Sequence, residues 1–131
     1  MNQPVYYAKL LSTLLLAYSI LFAISCINNS YDHLTGTWEM TEYRINSFDE
    51  HEAIKVTWTF GKDGSFTQVI KYTGKDVSDS ATWELSNDEK LIIAYPNNIT
   101  VQWDIVFRDE TTLRLEHTTP GFFVERGFKK Q

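Results

Sequence analysis

AIKVTWTFGKDGSFTQVIKY, residues 53–72, consists of two alternating runs hinged on a turn. Ile54, Val56, Trp58 and Phe60 share one face of the first run, with Lys55, Thr57 and Thr59 opposite. Successive side chains of a strand point to opposite faces, so a period of two marks a sheet with one buried side. Gly61-Lys62-Asp63-Gly64 breaks the pattern with residues suited to a tight reversal. The second run resumes with Phe66, Ile70 and Tyr72 inward and Gln68 among them. The stretch predicts an antiparallel hairpin.

The same period continues on both sides. Upstream, LTGTWEMTEYRI (34–45) places Trp38 and Met40 on one face. Downstream, a polar stretch, 73–80, reads as a loop before ATWEL (81–85), whose Ala81, Trp83 and Leu85 face one way. LIIAY (91–95) ends at Pro96-Asn97-Asn98, and ITVQWDIVFR (99–108) aligns Ile99, Val101, Trp103, Ile105 and Phe107. LRLEH (113–117) aligns Leu113, Leu115 and His117, and FFVERGFKK (122–130) completes the series. Short strands punctuated by turns about every ten residues indicate an all-β sandwich or barrel. Eight of them joined by short connections can pair in sequence order and close on themselves, which removes both exposed edges. The expected fold is therefore an eight-stranded antiparallel up-and-down barrel over residues 34–131.

Residues 1–25 belong to a different class. LLSTLLLAYSILFAI (10–24) is apolar but for Ser12, Thr13 and Ser19. A membrane-spanning helix needs about 20 such residues, whereas a signal peptide needs about 7–15 after a positive start. Lys9 supplies that start. Ala23-Ile24-Ser25-Cys26 resembles the lipobox of bacterial lipoproteins, with Ala23 standing where leucine is commonest. That resemblance implies acylation of Cys26 and cleavage before it, hence a signal peptide over 1–25, a lipidated cysteine with a polar tether over 26–33, and an address in the bacterial cell envelope, at the outer membrane. Stable attachment by acyl chains takes more than one of them. Cys26 is the only cysteine of the 131 residues, so no disulfide can form within the chain. The sequons Asn28-Asn29-Ser30 and Asn98-Ile99-Thr100 carry no weight in such a setting.

All 17 acidic residues lie beyond the signal, and loss of Lys9 moves the formal charge from −5 to −6. A nucleic-acid binder needs a basic face, so that class is excluded. Asp49-Glu50-His51-Glu52 is the densest group of potential metal ligands, but one imidazole without thiols is a poor zinc set, and no glycine-turned calcium loop is present. It reads as a solvated loop, and no metal or cofactor is expected. Nucleophile elbows, His-Glu-x-x-His and phosphate-cradling glycine loops are all missing, so catalysis is not expected either.

Gly36-Thr37-Trp38 at the head of the first strand resembles the Gly-x-Trp signature of the lipocalins and their calycin relatives. FGKDGSFT (60–67), ATWELSND (81–88) and LRLEH (113–117) are similar to small lipocalin-like lipoproteins of Bacteroidetes. The helix that follows the barrel in large lipocalins is absent here, as is their long first loop. The resemblance implies that an arginine of the last strand packs across the first-strand tryptophan and seals the closed end. Arg126 reaches the inner face counting by twos from Phe122, so Trp38 and Arg126 are expected to pair, with Arg114 as second choice.

An eight-stranded barrel is just wide enough to be filled by its own side chains or to hold one small ligand. Parity turns all four tryptophans inward, which favours filling. Gln68 and His117 sit among inward apolar positions, which suits an apolar pocket with a few polar groups, although either can equally be a satisfied core residue. One expectation is a membrane-anchored binder of a small hydrophobic or amphipathic molecule near Trp58, Phe66, Gln68, Trp83, Trp103 and His117. The other is a filled, non-catalytic interaction module that works through loops 46–52 and 73–80.

Overall fold

In the computed structural model the described residues are 31–49 and 55–131. The lipobox, Cys26 and most of the tether lie outside them, as do Glu50, His51 and Glu52 of the acidic loop. One compact unit runs over His33–Gln131. Its strands are β1 (Gly36–Ile45), β2 (Phe48–Asp49), β3 (Lys55–Phe60), β4 (Ser65–Tyr72), β5 (Lys75–Leu85), β6 (Lys90–Ala94), β7 (Thr100–Arg108), β8 (Thr112–Thr119) and β9 (Phe122–Lys130). Neighbours pair antiparallel in chain order, and β1 also pairs with β9. The eight long strands therefore close into the expected up-and-down barrel, and the two-residue β2 folds back on the end of β1.

The opening hairpin shows why the alternation succeeds. Trp58 lies opposite Gln68 and Phe60 opposite Phe66, so the two inward faces meet in register. At the turn, Gly64 sits at φ +83°, a region that side chains resist, and a Cβ on Gly61 would collide with the Ser65 hydroxyl. The Ser65 amide and hydroxyl both donate to Asp63 Oδ1, which holds that exposed carboxyl below its ordinary value.

Three expectations need correction. Residues 73–80 are not a loop: β5 begins at Lys75 and pairs with β4 from Tyr72↔Lys75 to Ser65↔Thr82. That half of β5 is largely exposed on both faces, so it lacks apolar alternation, and only the ladder defines it. Phe107 is not inward. An extra residue, Val106, bulges β7 between Ile105↔Leu115 and Phe107↔Arg114, which leaves Phe107 48% exposed and Arg108 opposite Leu113. A bulge inverts the parity of everything beyond it. Tyr72 has inward parity but stands at the strand end, 46% exposed.

A second bulge, at Thr41 of β1, falls between Met40↔Phe128 and Glu42↔Gly127. Strict alternation from Met40 would send Glu42 and Arg44 inside. The bulge instead aligns Tyr43 with Arg126 and Ile45 with Val124 on the inner face.

Candidate functional site

The barrel has two unlike halves. One end is formed by the start of β1 and the turns at 61–64, 86–89 and 109–111. Leu34, Trp38, Phe60, Leu91, Leu113 and Phe128 fill it, all at 1% exposure or less. Trp38 Nε1 donates to the Leu34 carbonyl at 2.8 Å, and Trp83 Nε1 to the Gly61 carbonyl at 2.9 Å. The Lys130 ammonium stands 5.1 Å from the Trp38 ring centroid and donates to the His33 carbonyl. This end is sealed.

Trp58 forms the partition. Its ring meets Phe128 at 4.7 Å, Phe66 at 5.3 Å and Trp103 at 5.8 Å. Beyond it, toward the ends of β1, β4, β6 and β8, burial is mixed: Val56, Ile93 and Leu115 stay at 6% exposure or less. Tyr43, Ile45, Gln68, Ile70, Val77, Tyr95, Val101, His117, Val124 and Arg126 are all of intermediate exposure. Graded exposure along inward-facing positions is the signature of a cup that opens at that end. Tyr72, Ile99 and Phe122 stand exposed on the three hairpins around its rim.

Polar groups gather on the floor. Gln68 Oε1 accepts from Trp58 Nε1 at 2.8 Å, which leaves the Gln68 amide nitrogen as a donor. His117 packs on Trp103, with ring centroids 5.4 Å apart. Its Nδ1 lies 2.7 Å from the Gln102 carbonyl; a carbonyl only accepts, so Nδ1 carries the proton and Nε2 is left as the second ring nitrogen. Arg126 lies above both tryptophans, its guanidinium carbon 5.3 Å from the Trp58 ring and 5.1 Å from Trp103, with Tyr43 at 5.2 Å. Burial pushes this guanidinium below its ordinary value, and Tyr43, which hydrogen-bonds it, opposes the shift. Burial likewise raises Tyr95, against the pull of the Arg126 charge.

The expected site is thus only partly assembled. Trp58, Phe66, Gln68, Trp103 and His117 come together around the floor. Trp83 does not: it packs on Phe60 at the sealed end. The pairing of Trp38 with Arg126 is also corrected, since the cation over Trp38 is Lys130, and Arg114 faces outward toward Glu125. Alternation missed Tyr43, hidden by the Thr41 bulge, whereas Tyr95 was legible as the next inward position after Leu91 and Ile93.

A depression of about 290 Å³, lined by Asp63, Gly64, Thr82, Trp83, Glu84, Ile92 and Ala94, lies on the outer wall and not in the cup. Among the described residues no three His, Cys, Asp or Glu side chains form a metal site. No helix among them is long and apolar enough to cross a membrane.

A family model described as a lipocalin-like domain matches residues 34–115. Among solved structures, bovine odorant binding protein in complex with a selenium-containing odorant aligns at 15% identity and a TM-score of 0.52, covering 77% of this chain and 72% of its own. As-p18, an extracellular fatty acid binding protein, aligns at 18% identity and a TM-score of 0.47, covering 76% and 97%. No curated protein sequence matches the chain.

Proposed function

This chain belongs to the lipocalin-like domain family, and we propose that the open half of its barrel binds a small hydrophobic or amphipathic molecule. The observation that carries this reading is the change along the inner face, from side chains buried to 1% or less at the sealed end to a mixture beyond Trp58 in which Ile70, Val77, Val101 and Val124 are partly exposed. Ligand sites are concave and mostly apolar, with a few polar groups that orient the ligand. Gln68, His117, Tyr43 and Arg126 are those groups. The bovine odorant binding protein, solved with an odorant, shares the fold, and the ligand class is argued here from the inner face. The role is binding, not catalysis.

Titration with the uncharged fluorophore N-phenyl-1-naphthylamine tests this. Its emission is expected to rise saturably on binding, with quenching of tryptophan emission from the floor. Val101→Trp, which adds bulk to the cup, is expected to abolish the signal while near-ultraviolet circular dichroism keeps the native pattern. Absence of saturable binding by the wild type would leave the filled interaction module as the better reading, and the exposed Tyr72, Ile99 and Phe122 as its first surface to examine.

We also infer that the domain is a Bacteroidetes-type lipoprotein, held at the outer membrane of the cell envelope through acylated Cys26. The support is the lipobox-like Ala23-Ile24-Ser25-Cys26 after an apolar run too short to span a bilayer. Metabolic labelling with an alkyne fatty acid is expected to mark the wild type and not Cys26→Ser; equal labelling of both would exclude the anchor.

A further inference from the structure

We propose that the ligand carries a carboxylate headgroup that pairs with Arg126 at the floor of the cup, an inference that rests on the binding role above. Among the described residues Arg126 has no counter-ion. None of the ion pairs among the described residues includes it, and its Nε is buried with no hydrogen-bond partner. Buried donors in folded proteins nearly always have an acceptor, and a buried charge is expensive unless paired.

Nor does Arg126 have the sealing duty that its place near the end of the chain suggested. Lys130 occupies the ring of Trp38 and ties it to the His33 carbonyl. The aromatic neighbours of Arg126 are Tyr43, Trp58 and Trp103. Rings engage the guanidinium weakly as acceptors, whereas its planar fork of N–H donors matches the two oxygens of a carboxylate. Of those donors Nε is buried and without a hydrogen-bond partner.

Two further groups adjoin the same pair of tryptophans. Gln68 is hydrogen-bonded to Trp58 and His117 is stacked on Trp103, the two indoles that lie under Arg126. Charge selects among anions. Below the rim of the open half, Arg126 is the only Lys or Arg among the described inward-facing positions, and Asp79 has inward parity opposite Gln68. A single cation suits a monoanion better than a phosphate dianion. The apolar walls of Ile70, Val77, Val101 and Val124 are then left for the ligand's tail. Burial disfavours the bare guanidinium, and a paired anion offsets that cost.

Equilibrium dialysis of the full-length chain against radiolabelled dodecanoate, dodecan-1-ol and dodecyl phosphate at pH 8, each below its micelle-forming concentration, tests the proposal. A charge-assisted pair makes dodecanoate bind roughly ten- to a hundredfold more tightly than dodecan-1-ol, with dodecyl phosphate weaker than dodecanoate. Arg126→Met is expected to retain dodecan-1-ol and to lose the preference, and Arg126→Lys to keep part of it. Equal binding of acid and alcohol by the wild type overturns the carboxylate and leaves the binding role intact, and this ratio decides the matter even if a variant fails to fold. A preference that survives in Arg126→Met, or dodecyl phosphate binding as tightly as dodecanoate, also overturns it. Retention of none of the three overturns the binding role and the inference together.

Discussion

The sealed and open halves of the barrel are built from the same strands, yet they use their cations in opposite ways. At the sealed end Lys130 is half-exposed, lies on Trp38 and donates to a main-chain carbonyl, so its charge keeps access to water while its stem covers a ring. In the open half Arg126 sits over three rings with a buried, unpartnered Nε and no ion pair among the described residues. The first arrangement gives the ammonium a carbonyl partner and stabilises the fold. The second leaves the Nε without a partner, which is the feature the proposed carboxylate binding rests on.

The largest test of this contrast is Trp38→Ala, which removes a fully buried indole and its hydrogen bond. Urea unfolding is expected to show a loss of about 3–5 kcal/mol. Ile70→Ala in the half-exposed wall is expected to cost only about 1 kcal/mol, because part of that side chain is already in water. Equal losses would mean that the two halves are packed alike.

The cations provide the next test. Lys130→Met is expected to cost about 0.5–1 kcal/mol through the lost contact with Trp38. Arg126→Met is expected to be neutral or stabilising, because replacing an uncompensated buried charge with an apolar side chain of similar length removes a desolvation penalty. A clear destabilisation by Arg126→Met would assign that residue a structural role like that of Lys130.

Phe107→Ser has a smaller effect if Val106 bulges the strand. The ring is half-exposed, so the change is expected to stay within about 0.5 kcal/mol. An inward Phe107 would instead cost several times more.

Tyr95 offers a test by pH. Its folded value lies above the ordinary 10.0, so the neutral phenol is favoured in the folded state. The associated stability is fully present below the unfolded value and is lost as pH rises through the folded one. Absorbance titration of the wild type against Tyr95→Phe should place its transition above the ordinary value. Arg126→Met should move it higher still, because the guanidinium charge favours the phenolate.

Much of the barrel was legible in residues 53–72 alone, since Val56, Trp58, Phe60 and Phe66 are buried as their alternation requires. The first half of β5 was not, because Lys75, Asp76, Ser78 and Ser80 show no apolar face and become a strand only by pairing with β4. The inward placement of Trp58, Gln68, Trp103 and His117 was readable from alternation. Tyr43 was not, for a bulge leaves no mark in composition: Thr41 resembles any other strand threonine until its ladder with β9 is seen.

The sequence by itself determined the class of fold, the number of barrel strands and the inward turn of all four tryptophans, because side-chain alternation is a property of each strand alone. Only the tertiary structure decided which cation meets which ring, that Phe107 faces out and Tyr43 in, and that Arg126 has no ion pair among the described residues. These outcomes depend on the register between strands far apart in the chain and on the closure of β1 against β9. A single extra residue in either partner changes them while leaving the local pattern untouched.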